Sequence, residues 1–206
     1  MSFIVNYEEG AAEFARQLLG RSVSNEELAA AVGAPERAVL QVSVRMKGQE
    51  LHVDVLHPQV REQRRGFRRD RNGELYLWNH RLEKIPGTPP GFGAKVFMQQ
   101  VAGARKLGIR RIELWASGNY NDAGYNGYYT WARFGFDAPL TQRDRRLLPP
   151  ELAVAQTVND LIHLGAAEWW KKNGDDRAMM FDLAEDSSMM RVFRAYLKEK
   201  GLMQEG

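Results

Sequence analysis

The fold class is decided by residues 75–108, which read LYLWNHRLEKIPGTPPGFGAKVFMQQVAGARKLG. Aromatic and apolar residues recur over 75–85 as in a β-strand, and the Pro- and Gly-rich segment 86–93 breaks that strand. From Val96 onward, apolar side chains recur every three or four residues as far as Gly108, which predicts an amphipathic helix ending there. A strand that gives way to a helix through a glycine turn indicates an α/β protein.

The flanking segments extend this unit into a sheet. Residues 109–116 form a short apolar strand, and a strand on either side of a helix predicts a right-handed crossover with parallel pairing. Towards the N-terminus, a helix from Tyr7 to Leu19 and a second helix with a Ser24/Glu27 capping box precede strands at 38–46, 51–56 and 65–69. The predicted fold class is therefore α/β (α+β), with a mixed, mostly antiparallel central sheet flanked by helices.

The C-terminal third is predicted to be loop followed by helix. A segment rich in Asn, Gly and Tyr covers 117–127, and a short helix and a strand at 134–137 follow it. The polar, proline-punctuated stretch 139–150 precedes a helix at 151–164 and a final helix that starts at Asp186 or Ser187. We predict a core over residues 1–150 and a helical extension, 151–206, packed on the same domain.

Composition limits the chemistry. The chain of 206 residues has no cysteine, so disulfides and thiolate metal sites are excluded. Its four histidines are scattered, and because His163 has no companion at metal-ligand spacing, no metal site is predicted. No apolar stretch approaches the roughly 20 residues that cross a bilayer, so we expect a cytoplasmic protein without a membrane partner.

The glycine turn is the motif that carries chemistry. The first turn of a helix has unpaired N–H groups and the positive end of the helix dipole, and glycines let phosphate oxygens approach the backbone. Residues 88–94, TPPGFGA, would cradle a pyrophosphate in this way. The usual nucleotide loops do not fit, because neither a Gly-Lys-Ser/Thr sequence nor a third glycine follows.

The order of these elements over residues 39–137 resembles the GNAT superfamily of N-acetyltransferases, whose loop reads Gln or Arg, two residues, Gly, any residue, then Gly or Ala. This chain keeps both glycine positions, Gly91 and Gly93, and has Thr88 at the first position. The superfamily also carries a short helix followed by Gly-Phe, here Thr130 to Phe136, in which Trp131 replaces the frequent tyrosine. The resemblance implies acetyl-CoA as cofactor and transfer of its acetyl group to an amine of a small molecule, a protein or an aminoacyl-tRNA.

The resemblance also implies the roles of individual residues. Coenzyme A would contact the end of the fourth strand and the turn after it, at Leu82, Lys84, Ile85, Thr88, Gly91, Phe92, Gly93, Ala94 and Lys95. Tyr128 or Tyr129 would protonate the leaving thiolate, and Asn119, Tyr120 and Tyr125 would shape the acceptor pocket.

The general base is sought among the strand carboxylates Glu74, Glu83 and Glu113. In a regular strand Glu74 and Glu83 face opposite sides, so both cannot line one cleft. We favour Glu74, because superfamily members with a strand glutamate place it early on this strand.

Two other functions stay open. A run of arginines with Phe67 would contact RNA or DNA phosphates and stack on one base, through Arg61, Arg64, Arg65, Arg68, Arg69 and Arg71. Glu62 and Asp70 interrupt this run, which is also typical of a solvated face. The third possibility is a catalytically idle fold that binds acyl-CoA or a protein partner, since function lies in the site and not in the scaffold.

Overall fold

The computed structural model describes residues 3–122 and 124–203, which fall into two compact units. Unit 1 runs to Ile112 and unit 2 begins at Glu113, so that the division lies within strand β6, Arg111–Ala116. The protein is a mixed α/β protein with a mostly antiparallel sheet flanked by helices, which confirms the predicted fold at this level. Within the described residues, none of the helices has the length and apolar character needed to span a membrane.

Unit 1 is built on five strands that are adjacent in chain order. They are β1 (Ile4–Tyr7), β2 (Val39–Arg45), β3 (Glu50–Leu56), β4 (Val60–Arg69) and β5 (Leu75–Lys84). β1 pairs with β2 in parallel, and every later pair up to β4 and β5 is antiparallel. Short connections favour antiparallel neighbours, whereas the two helices between β1 and β2 provide the long connection that a parallel pair needs.

The helices of unit 1 pack against one face of this sheet. They are α1 (Ala11–Leu19), α2 (Asn25–Ala31) and α3 (Phe92–Lys106). Gln63 of β4 donates from Nε2 to the carbonyls of Val32 and Gly33, just after α2, at 2.9 and 3.0 Å. The buried amides of Asn79 on β5 and Gln100 on α3 exchange two hydrogen bonds, of 3.0 and 2.7 Å. Since strand residues alternate, the side chains at even positions of β3 and β4 face the other way.

Unit 2 has an aromatic core. Its elements after β6 are α4 (Gly127–Arg133), α5 (Gln142–Leu147), α6 (Val158–His163), α7 (Ala167–Asn173), β7 (Arg177–Asp182) and α8 (Ser188–Glu199). Phe136 packs against Trp131 and Phe181 with ring centroids 5.2 and 5.3 Å apart, and Phe181 meets Phe193 of α8 at 6.1 Å. Aromatic pairs at these separations add to the stability that burial provides.

Several local predictions are wrong. Tyr7, predicted as the start of the first helix, belongs to the strand Ile4–Tyr7, and the strand predicted at 134–137 is a turn with an isolated bridge at Asp137. The helix predicted at 151–164 is only a 3-10 turn at Pro150–Leu152 followed by α6, because Thr157 and Asp160 form a capping box that starts a new helix. The sequence prediction also missed β7, although its burial alternates as a strand requires.

Candidate functional site

The predicted cofactor residues lie together in unit 1, at the end of β5 and the first turn of α3. Thr88 holds the connecting turn, since its hydroxyl donates to the carbonyls of Ile85 and Gln59 at 2.8 and 2.9 Å. Gly91, the residue before α3, has a φ of 79°, which is in the left-handed region that favours glycine. No side chain caps the helix at this residue. The turn therefore presents main chain, and not a capping side chain, at the positive end of a 15-residue helix.

Space is open beside this helix end. Among the residues that the structure describes, the Cδ2 of Leu82, at 4.0 Å, is the only atom that a Cβ added at Gly93 would meet within 4 Å. Phe92 is stacked against His57, with ring centroids 6.2 Å apart. Burial lowers the pKa of His57, so its imidazole is neutral at pH 7. Sequence analysis did not identify His57, which belongs to the turn between β3 and β4.

β5 contains a bulge that sequence analysis also missed. Arg65 pairs with Asn79 and Arg64 with Arg81, so that His80 is an extra residue opposite one step of β4. Beyond the bulge the alternation of the strand is reversed, which turns Leu82 towards Gly93. The prediction that Glu74 and Glu83 face opposite sides assumed a regular strand, whereas β5 is bulged at His80 and Glu74 precedes its first residue, Leu75.

Glu74 is bound in an ion-pair network at the turn before β5. Its carboxylate lies 3.2 Å from a guanidinium nitrogen of Arg111 and 3.9 Å from one of Arg110. Arg111 also binds Asp70, at 2.9 Å. The role of Glu74 as a base stays a prediction. In the structure its carboxylate is paired with the cations Arg110 and Arg111.

The two candidate proton donors lie in unit 2 on α4. Tyr128 is buried and donates from its hydroxyl to the carbonyl of Lys171 at 2.6 Å. The hydroxyl of Tyr129 donates to the carboxylate of Glu168 at 3.0 Å. Burial raises the pKa of both phenols, and for Tyr129 the hydrogen bond to Glu168 raises it further. Both hydroxyls are therefore protonated at neutral pH, as a general acid must be.

The loop after β6 carries the predicted acceptor residues. Asn119 stabilises the loop itself, because its side-chain oxygen accepts from the N–H of Asn121 at 2.8 Å. Tyr120 and Tyr125 are each about half exposed. Tyr120 also lines an open pocket of about 430 Å³, together with Arg143, Arg146, Leu147, Lys172 and Asn173. Arg143 is paired with Asp175 at 2.6 Å, and Arg146 and Lys172 add two further cations, so the lining favours an anionic group.

A second cluster lies in unit 1, on the face of the sheet opposite the helices. Glu50 of β3 is 1 % exposed. Its Oε1 lies 3.0 Å from Nδ1 of His52 and 3.1 Å from Nε2 of His80. Its Oε2 accepts from Nε of Arg68 and lies 3.0 Å from Nε2 of His80. These three neighbours surround one buried carboxylate with nitrogen atoms.

Hydrogen bonds keep Glu50 ionised despite its burial. Burial opposes ionisation, but the hydrogen bonds of His52 and His80, the charge of His80 and the hydrogen bond of Arg68 together hold the pKa of Glu50 well below its usual value. Gly66 of β4 makes room for this carboxylate, since a Cβ there would lie 2.5 Å from Cδ of Glu50.

Two sequence signals would have identified the cluster. Glu50 and His52 are two residues apart on one strand, so that both face one side of the sheet. In addition, a glycine inside a strand, here Gly66, often marks a close approach of another group. Among the histidines, only His163 was considered as a metal ligand from the sequence, so both signals were missed.

The arginine run does not form one continuous basic face. Arg61 pairs with Glu83 at 2.6 Å, and Arg64 pairs with Asp54 at 3.1 Å and with Glu62 at 2.9 Å. Arg68 binds Glu50, and Arg69 donates to the carbonyls of Gly73 and Leu18. These partners reduce the positive charge that the run offers to phosphates. Arg71, which is exposed, contributes a further positive charge.

Arg65 lies inside unit 1. It is 1 % exposed and donates to the carbonyls of Arg64 and Arg81 at 2.9 and 2.7 Å. Burial lowers the pKa of Arg65 to about 9. A buried guanidinium bound to main chain supports the sheet at the bulge and is not available to a polyanion on the surface.

The chain was compared with protein families and with curated proteins. No family model matches this chain. The curated proteins likewise contain none with a significant match. The geometry of these residues and the sequence resemblance are therefore the basis on which a function can be proposed.

Proposed function

We propose that the protein is an N-acyltransferase that uses acetyl-CoA to acetylate an amine. The observation that carries this proposal is the junction of β5 and α3, where a bulged strand ends in a glycine turn at an uncapped helix N-terminus. The resemblance to the GNAT superfamily supports the same residues as the coenzyme A site. A pyrophosphate at this end of α3 would meet main-chain N–H groups, the helix dipole and the nearby charge of Lys95.

The acceptor in this proposal is an amine on a molecule that also bears an anionic group. The support comes from the pocket of unit 2, where Tyr120 stands beside Arg143, Arg146 and Lys172. Cations would bind a phosphate or carboxylate of the acceptor and leave its amine free to react. A small molecule, an acidic protein or an aminoacyl-tRNA all meet this requirement.

The reaction in this proposal is direct transfer. The uncharged amine attacks the thioester carbonyl, a C–N bond forms, the C–S bond breaks, and the thiolate takes a proton. Tyr128 and Tyr129 are the proposed proton donors, and Glu74 is the proposed acceptor of the amine proton. An idle acyl-CoA-binding protein would share the cofactor site and lack the transfer.

The cofactor site is tested by calorimetric titration with acetyl-CoA, with coenzyme A and ADP as comparison ligands and a short RNA as the competing ligand class. Gly93→Asp places a carboxylate beside the proposed pyrophosphate. Two like charges about 4 Å apart repel by about 1 kcal/mol in water and about 4 kcal/mol near a protein surface, so affinity should fall by a factor between about 5 and about 700.

Two matched variants separate charge from fold. Gly93→Ala adds the same Cβ without charge, and Met98→Asp adds the same charge at an exposed site further along α3. Both should bind acetyl-CoA like the wild type. If wild-type protein binds no acetyl-CoA, or if Gly93→Asp binds it unchanged, the proposed cofactor site is wrong. Salt-dependent RNA binding in its place would favour the nucleic-acid function.

A further inference from the structure

We infer that Glu50, His52 and His80 form a binding site for a divalent transition-metal ion such as Zn²⁺. Each of the three side chains offers one ligand atom, and these atoms all lie within 4.8 Å of one another. Two imidazole nitrogens and one carboxylate oxygen are a donor set that zinc and iron sites use, with positions left open for water or another ligand.

The distances suit a shared ion. Zinc lies about 2.0–2.2 Å from nitrogen and oxygen ligands, so that neighbouring ligand atoms are roughly 2.9–3.4 Å apart for angles between 90° and 109°. Oε1 of Glu50 is 3.0 Å from Nδ1 of His52 and 3.1 Å from Nε2 of His80. Nδ1 of His52 and Nε2 of His80 lie within 4.8 Å of each other, so the two imidazoles must move closer together where that separation exceeds 3.4 Å.

A carboxylate lies behind the ligand His52, and a guanidinium binds the second oxygen of Glu50. Nε2 of His52 lies 3.5 Å from Oδ1 of Asp54, and Arg64 in turn binds Asp54 at 3.1 Å. A metal-bound histidine usually donates its other ring N–H to a carboxylate, which fixes the ring orientation and makes the ligand more basic. Arg68 binds Oε2 of Glu50 and leaves Oε1 to face both imidazoles.

The cluster is mostly buried but is accessible to solvent at His80. Glu50 is almost fully buried and the side chain of His52 is 12 % exposed, whereas the side chain of His80 is 27 % exposed. The backbone is shaped around the cluster, because Gly66 leaves room for the carboxylate and His80 is the bulged residue of β5.

The alternative is an ion-pair network in which imidazole N–H groups bridge to Glu50 and no metal binds. In that arrangement the ring of His80 hydrogen-bonds to both carboxylate oxygens of Glu50 and has no role as a metal ligand. The two interpretations differ in one measurable property, which is saturable binding of an ion at a stoichiometry of one per chain.

The metal site does not depend on the proposed acyl transfer. Its ligands are on β3 and β5 and face away from α1 to α3, whereas the proposed cofactor site is at the N-terminus of α3. Loss of metal binding would therefore leave the acetyl-CoA proposal intact, and loss of acetyl-CoA binding would leave the metal site intact.

The test uses the full chain without an affinity tag, stripped of metal by a chelator and titrated with Zn²⁺ in a calorimeter. We expect one ion per chain, a rise in melting temperature with Zn²⁺ and, with Co²⁺, the visible absorption bands of a nitrogen- and oxygen-ligated ion. Loss of outer-sphere groups already weakens metal sites by about 10- to 100-fold, so His80→Ala should reduce affinity by about 100-fold or more.

Further variants distinguish the loss of a metal ligand from the loss of the fold. His80 is the most exposed of the three ligands, so that its removal should leave the fold intact, and Glu50→Gln keeps the shape of the buried carboxylate. His163→Ala, which removes an exposed histidine outside the cluster, should bind Zn²⁺ like the wild type. Absence of saturable binding in the wild type, or equal binding by His80→Ala, would show that the cluster is only an ion-pair network.

Discussion

Replacement of Gly103 by alanine tests whether α2 and α3 pack backbone to backbone beneath the sheet. Gly103 is buried near the C-terminal end of α3, and a Cβ there would lie 2.6 Å from the carbonyl oxygen of Ala30 and closer still to two other main-chain atoms of α2. Favourable contacts between heavy atoms are about 3.5–4.0 Å, so the helices would have to separate by about 1 Å. No side chain can rotate away to relieve this overlap.

The expected loss of stability follows from two opposing terms. Overpacking of this kind costs about 1–3 kcal/mol, and the better helix propensity of alanine returns about 1 kcal/mol. Because the obstacle is main chain, we expect the upper part of the cost and a net loss of about 1–2 kcal/mol. In a chain of this length that would lower the melting temperature by about 2–8 °C.

The assay is urea denaturation followed by circular dichroism, with Gly93→Ala as the matched control. Gly93 lies on the same helix, has open space around it and should tolerate alanine with equal or slightly higher stability. If Gly103→Ala has the wild-type unfolding midpoint, or if both variants shift it equally, the close packing of α2 on α3 is refuted.

Two further predictions concern unit 2. The buried carboxylate of Asp144 binds Arg177, which also binds Asp175; burial acts to raise the pKa of Asp144, but the hydrogen bonds from Arg177 and Thr141 lower it overall. A carboxylate whose folded-state pKa is below the unfolded value stabilises the protein above about pH 4, and this contribution is lost as the pH falls further. Asp144→Asn should therefore lower the free energy of unfolding, measured by urea denaturation, by about 3 kcal/mol at pH 7 and by clearly less at pH 3. An equal loss at both pH values would contradict the ionised pair. Tyr129→Phe should slow acetyl transfer about 100-fold, measured by release of coenzyme A thiol, and leave acetyl-CoA affinity unchanged; if neither it nor the corresponding Tyr128 variant slows transfer, the phenols are not the proton donors.

The sequence predicted much of unit 1 because local signals there agree with the tertiary structure. Apolar periodicity placed α3, and glycines marked its beginning and end. The Ser24 capping box of α2 is present in the structure, with both reciprocal hydrogen bonds formed. The bounds of β5 differ from the prediction by one residue at its C-terminal end.

Unit 2 was less predictable because its elements are short and depend on distant contacts. β7 contains six residues, and its Met180 forms its bridge with Asp137, more than 40 positions earlier. α6 also has only six residues. Isolated segments of this length are marginal without tertiary packing, so that their propensities say little about where they begin and end.

The bulge at His80 explains why the two candidate sites of unit 1, the glycine turn and the Glu50 cluster, lie on opposite faces of the sheet. Leucines occupy positions 75 and 77 of β5 and then position 82, so the leucines shift from odd to even positions along the strand. One extra residue accounts for the shift, because it lets Leu82 face α3 and Gly93 while Arg81 and Glu83 stay on the opposite face, where they pair with each other and with β4. The same residue carries the imidazole that meets Glu50. A strictly alternating strand would point Leu82 away from the helix, so this single insertion serves both the apolar support of the glycine turn and the polar cluster on the other side of the sheet.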